Sequence, residues 1–204
     1  MIRILCVDDH PVVLDGLSAI ITMQPDMELA ATAETGEQAL KEFRGQKPDV
    51  TLVDLRLPDL IGYELIKAIR QIDRHARIIV LSSYDGDADI QRALDAGAQG
   101  YVAKGLVRDE LLTAIRTVSA GRKHIPPTIA QRIVGYMQED AMSEREVQVL
   151  SLVALGKRNK EIAADLTIAE DTVKMHVRNI FSKLNVTDRT EAVTVALRRG
   201  IIHL

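Results

Sequence analysis

Five short apolar runs, each followed by a stretch of helical spacing, fill the first 121 residues and limit the folds open to them. IRILCVDD precedes a helix from about Pro11 to Met23, MELAATA precedes Glu37 to Arg44, and DVTLVD precedes Tyr63 to Gln71. RIIVLS then leads to Asp87 to Ala96, and GYVAK to Arg108 to Ala120. The runs are continuous Val, Ile, Leu and Ala rather than alternating, as parallel strands covered on both faces require. A parallel sheet flanked by helices is predicted.

In an open parallel sheet, reactive groups gather at the carboxyl ends of the strands. The first strand delivers Asp8 and Asp9 there, the third Asp54, the fourth Ser82 and Ser83, and the fifth Lys104. Three crowded carboxylates repel one another unless a hard cation joins them, and Mg2+ prefers such oxygens while keeping several waters. An ion held by Asp8, Asp9 and Asp54 would leave an oxygen of Asp54 free to attack a phosphoryl group. Lys104 and a hydroxyl would share in neutralising the phosphoryl oxygens. Imidazole is a soft ligand for Mg2+, so His10 followed by Pro11 is read as a helix start. There is no GxxxxGK[ST] loop for a nucleotide, and Arg56 stands where haloacid-type phosphohydrolases carry a second Asp.

The set of Asp8-Asp9, Asp54 in VDLRLPD, Ser82 after IIVL, and Lys104 in GYVAK resembles the receiver domain of bacterial two-component response regulators. The resemblance covers all 121 residues and implies a flavodoxin-like strand order, 2-1-3-4-5. It also implies that Asp54 is the phosphoacceptor, Asp9 a direct Mg2+ ligand, Asp8 a ligand through water, and the main-chain carbonyl of Arg56 a third metal contact. Ser82 and Lys104 would bind the phosphoryl group. The family's hydroxyl-and-aromatic switch maps to Ser82 and Tyr101, although a core tyrosine is an equal reading of Tyr101. Gly105 departs from the proline that many receivers place after the lysine.

Charge changes sign along the chain. Residues 1 to 121 carry 13 Lys and Arg against 19 Asp and Glu, whereas residues 141 to 204 carry 10 against 8. In the latter stretch Ser143 and Glu146 form a capping box for a helix apolar at Val147, Leu150, Val153 and Ala154, ended by Gly156. A second helix begins at Asn159, a third runs from Glu170 to about Leu184 after a turn at Thr167 to Ala169, and a fourth from Arg189 to Arg199. The tight turn fits a helix-turn-helix with the third helix as reader. At 100° per residue Val173, Val177, Ile180 and Leu184 form one stripe. Met175, Arg178, Asn179 and Ser182 face away, with Lys174 and Lys183 at the margins. That face suits a major groove, where Arg or Lys addresses guanine and an apolar side chain the thymine methyl; a solvated charged face is the other reading.

The stretch from Ser143 to Val193 resembles the LuxR-type DNA-binding domain, and the whole chain the NarL/FixJ class of regulators. By that resemblance Lys174, Met175 and Arg178 contact bases, Thr172, Asn179 and Lys183 contact phosphates, and His176 faces an edge or a phosphate. The expected fold is α/β plus all-α. A doubly wound five-stranded receiver (1–121) is joined by a linker with a short amphipathic helix (122–140) to a small four-helix LuxR-type domain (141–204). The expected function is phosphorylation-dependent transcription regulation, not enzymatic turnover. The expected partners are a histidine kinase, promoter half-sites in double-stranded DNA, and a second copy of the chain when active. No run of eighteen apolar residues and no signal-like N-terminus appear, so a cytoplasmic protein off the membrane is expected, with Cys6 a buried, inert thiol. Two rivals keep part of this reading. One makes the receiver a phosphate-independent binding module, against which the intact acidic set speaks; the other is a phosphohydrolase, which leaves the last 64 residues unexplained.

Overall fold

The computed structural model describes residues 1–82, 86–104, 108–137 and 142–203; Ser83 and Gly105 lie outside the described residues, as does the side chain of Met137. The chain forms two compact units, Met1–Tyr84 with Ile90–Ala130, and Asp85–Asp89 with Gln131–Leu204.

The sheet is built from β1 (Ile2–Val7), β2 (Met27–Ala33), β3 (Val50–Asp54), β4 (Ile78–Ser82) and β5 (Gly100–Ala103). Between and after them run α1 (Pro11–Thr22), α2 (Gly36–Gln46), α3 (Gly62–Ile72), α4 (Asp87–Asp95) and α5 (Arg108–Ser119). All four strand pairings are parallel, in the order β2-β1-β3-β4-β5. Successive side chains of a strand point to opposite faces. Ile4, Cys6, Leu52, Ile79, Leu81 and Val102 therefore share one face, where they pack with Leu14, Leu17 and Ile21 of α1 and Leu112, Ile115 and Val118 of α5. Leu5, Val7, Val53, Ile78 and Val80 point the other way and are equally buried, as are Leu65, Ile66 and Ile69 of α3. Double coverage explains the continuous apolar runs; β2, at the sheet edge, is the strand with an exposed residue, Glu28. Burial, reinforced by the charge of Asp8, drives the Cys6 thiol far up, so the thiol stays protonated.

The stretch from Arg122 to Pro127, within the expected linker, contains a sheet contact. His124 accepts from Tyr101 N at 2.9 Å and donates to Gln99 O at 2.9 Å, bridging to Gly100 in parallel. β5 is an edge strand whose outer side would otherwise lack backbone partners, and the chain is turned back beside it after α5 by Gly121 (φ 78°), a conformation that favours glycine.

The connector helix is α6 (Pro127–Met137). Of the apolar residues expected to form its stripe, Ile129, Ile133, Val134 and Met137, the first is buried, Ile133 is partly buried and Val134 is 55% exposed. The last four helices are α7 (Glu144–Ala154), α8 (Asn159–Asp165), α9 (Glu170–Leu184) and α10 (Arg189–Arg198). Three of the boundaries have a clear local cause. Ser143 and Glu146 close a capping box on α7, Asp188 caps α10 through Glu191 N, and Asn185 ends α9 in the left-handed region. Val149, Leu150, Val153, Ile162, Val173, Ile180 and Ala196 make the core these helices share. Among the described residues no helix is long and apolar enough to cross a membrane.

Candidate functional site

The order β2-β1-β3-β4-β5 makes β1 and β3 neighbours and sets β4 and β5 beside β3, which draws residues far apart in sequence to one edge. Asp8 follows β1 and is fully buried; Asp54 ends β3 at 4% exposure; Ser82 ends β4 at 1%. Ligand atoms of Asp8, Asp9, His10 and Asp54 all lie within 4.8 Å of one another. Lys104, just past β5, reaches in to place Nζ 2.7 Å from both Asp54 Oδ2 and Asp8 Oδ2. The contact with Asp54 is a directed hydrogen bond, whereas the approach to Asp8 is close but poorly aimed, which leaves Asp8 Oδ2 without a true donor. Asp9 Oδ1 and Ser82 Oγ are also buried without a hydrogen-bond partner.

One ammonium therefore serves two buried carboxylates. Burial raises the Asp54 carboxyl above its ordinary value; Lys104 and the Arg56 N–H pull it back, and the nearby Asp8 charge pushes it further up. Lys104, depressed by burial, is carried above its ordinary value by Asp54 and Asp8. The residual negative charge and the undonated oxygens of Asp8 and Asp9 are what an oxygen-seeking divalent cation would satisfy, so the residues fit Mg2+.

Three features of this edge are not visible in sequence spacing. His10 does cap α1, with Pro11 in the first turn, but its Nδ1 also stands 2.7 Å from Asp9 Oδ1 and 3.2 Å from Asp8 Oδ1. Asp59, in the Leu-Pro-Asp turn, accepts from Gly36 N at 2.8 Å and Glu37 N at 3.0 Å and so caps α2 rather than joining the cluster. Partial burial of the Asp59 carboxyl is outweighed by these N–H donors, and its pKa is lowered. Gly62 holds the loop after β3: a Cβ there would meet Asp54 O at 2.4 Å and Leu55 Cα at 2.5 Å. Only glycine permits that approach, and Gly62 N donates to Leu55 O at 2.9 Å. Arg56, whose carbonyl was assigned to a metal, bridges to Ile61 in this loop. Tyr101 is buried at 3%, and because Val80 pairs with Tyr101 while Ser82 pairs with Ala103, strand alternation puts Tyr101 and Ser82 on the same sheet face.

In the second unit α9 presents the two faces its spacing predicts. Val173, Ile180 and Leu184 are buried and Val177 partly so, while Lys174, Met175, Arg178, Asn179 and Ser182 are exposed, Met175 by 49%. Thr172 and His176 are half-buried at the edge. Thr167, in the turn before α9, has φ 54°, a strained value for a β-branched residue. Lys174 is held above its ordinary value by hydrogen bonding and charge from Asp171, at 3.0 Å, and by the charge of Glu170. Lys183 is placed differently from the other basic residues of the face. Its Nζ lies 2.8 Å from the buried Glu146 Oε2, so a DNA phosphate would compete with an internal carboxylate for it. Burial raises the Glu146 carboxyl, but Lys183 together with the Ser143 N–H and hydroxyl overcomes this and holds it below its ordinary value.

A family model for the response regulator receiver domain matches residues 4–116, and one for bacterial regulatory proteins of the luxR family matches residues 140–196. The chain belongs to the two-component response regulators. It carries a receiver and a LuxR-type DNA-binding domain, and the family is one of DNA-binding transcriptional regulators rather than enzymes. Its relatives span it end to end. The response regulator VraR of Staphylococcus aureus is 35% identical over 99% of each chain, and the transcriptional regulatory protein LnrK of Bacillus subtilis 33% identical over 98% of this chain and 99% of its own. Among solved structures, the response regulator ChrA of a heme-sensing two-component system matches with a TM-score of 0.59 at 34% identity, over 98% of both chains.

Proposed function

We propose that this response regulator accepts a phosphoryl group on Asp54 from a partner histidine kinase in the cytoplasm, and that the phosphorylated form dimerises and binds paired promoter half-sites. What supports the reading is the strand-end edge itself: the buried Asp8 and Asp54 against the Lys104 ammonium, a partly exposed Asp9 beside them, and a Ser82 hydroxyl that has nothing to donate to. Asp9, Asp54, the Arg56 carbonyl and, through water, Asp8 would hold Mg2+. When bound, that ion supplies positive charge opposite the phosphoryl oxygens. An Asp54 oxygen forms the new O–P bond as the P–N bond to the kinase histidine breaks, and the leaving imidazole keeps the electron pair and takes a proton. Lys104 then exchanges part of its contact with Asp54 for a phosphoryl oxygen, and Ser82 donates to another. Drawing Ser82 inward frees space on the face it shares with Tyr101, which couples the phosphate to the packing of that ring.

Residues 1–121 take the receiving role and 141–204 the DNA-binding role, with 122–140 joining them. Lys174, Met175 and Arg178 would address base edges, and Thr172 and Asn179 phosphates, with Lys183 contributing where it can leave Glu146. Labelled phosphate from a small phosphodonor plus Mg2+ should enter the wild-type chain and not Asp54→Ala; incorporation into that variant refutes the assignment.

A further inference from the structure

Asp171 stands at the head of the exposed face of α9. At 100° per residue, positions 171, 175, 178 and 182 fall along one line. Asp171, Met175, Arg178 and Ser182 are all exposed, the Asp171 side chain by 90%. Its Oδ1 accepts from Lys174 Nζ at 3.0 Å, one turn further on, and Glu170 stands 3.6 Å from the same ammonium.

An acid on a surface that meets DNA is costly, because every phosphate repels it and each basic residue it neutralises is withdrawn from the backbone. A carboxylate in the first helical turn does complement the helix dipole, but Glu170 already supplies one there. What the duplex offers a carboxylate is narrow. In the major groove the cytosine N4 amino group donates, and Asp or Glu is the side chain that accepts from it; guanine O6 and N7 accept from Lys. A helix-turn-helix reader presents the N-terminal residues of its second helix to base edges, where Asp171 and Lys174 lie. An acceptor and a donor 3.0 Å apart match the donor and acceptors of cytosine and guanine.

We infer that Asp171 is a specificity-determining residue of the DNA contact: it accepts a hydrogen bond from a cytosine N4 amino group while Lys174 donates to O6 or N7 of a guanine in the same or the adjacent base pair. This rests on α9 being the reader helix, and the experiment separates the two.

The test is selection of binding sites from a random duplex library by the full chain, with a small phosphodonor and Mg2+, for wild type, Asp171→Ala, Asp171→Asn and Arg178→Ala. Wild type should prefer cytosine at one position of each half-site by about tenfold, and Asp171→Ala should flatten that position to about twofold or less. Asp171→Asn, nearly the same shape, should move the preference to adenine, because Asn pairs with adenine N6 and N7. A purely electrostatic or dipole role for Asp171 would not produce that change of base. Both variants should keep wild-type thermal unfolding, since the side chain is exposed. If both retain the wild-type preference at every position while Arg178→Ala loses affinity, the Asp171 inference falls alone. If wild type selects no sequence, or Arg178→Ala binds as wild type does, the reader helix falls with it.

Discussion

The strand-end edge and the α9 face use the same few residue types under opposite conditions. At the edge, Asp8, Asp54 and Lys104 come from the ends of three separate strands; the two carboxylates are buried and the Lys104 side chain is 14% exposed. On α9, Asp171, Lys174 and Arg178 are neighbours along one helix and stand in solvent. Buried charges feel one another strongly and make the fold pay for them; exposed charges are screened and leave stability almost untouched. One arrangement suits the phosphoryl acceptor we propose, where added charge is felt strongly, and the other the DNA-facing surface we propose, which meets a polyanion without rearranging.

The pair that crosses this divide is Glu146, buried at 4%, with the largely covered Lys183, in the same unit as the exposed face of α9. Glu146→Ala removes an acceptor shared by the Lys183 ammonium and the Ser143 N–H and should cost about 2–4 kcal/mol in urea unfolding of the second unit. A loss near zero would place the pair with the screened surface charges. The Glu146 pKa is lowered in the folded state, so its contribution is present above the unfolded value of about 4.3 and is lost as pH falls through the folded value. The difference between wild type and variant should therefore close on acidification below that point.

Arg178→Ala should weaken specific DNA binding by about 1–3 kcal/mol while leaving the melting temperature alone. A drop in melting temperature instead would mean that the exposed face carries structure, and the contrast would fail there.

Asp54→Asn should stabilise the first unit by about 1 kcal/mol at neutral pH without Mg2+, because it keeps the shape and removes a buried charge. Here the sign is reversed. The folded pKa of Asp54 is raised, so the ionised carboxylate costs stability in full above the folded value, and the penalty shrinks as pH falls through that value and is gone below the ordinary value of about 3.9. Saturating Mg2+ should raise the wild-type melting temperature and narrow or reverse the variant's advantage, as calorimetry would report. The smallest effect is expected at Thr167: replacement by glycine relieves the left-handed strain ahead of α9 and should gain about 0.5–1 kcal/mol in urea unfolding.

How legible each region was follows from the range of the signal. β2 spans MELAATA and α9 runs from Glu170 to Leu184 as their patterns predict, and the two faces of α9 follow from helical phase alone. The gathering of Asp8, Asp54, Ser82 and Lys104 was readable because a parallel sheet collects strand ends, a rule that needs no distances. Contacts set by the path of the chain through space were not. Lys183 meets Glu146 across 37 positions, and Asp59 reaches Gly36 across 23. His124 finds an edge strand that no periodicity announces.

Gly62 bears on which lesions can silence this protein. It carries no chemistry, yet a single methyl at that position would collide with the carbonyl of Asp54 and pry the acidic residue off its seat. A collection of signalling-dead variants should thus include position 62 beside position 54, with the sheet still assembled and the carboxylate still encoded but aimed wrongly.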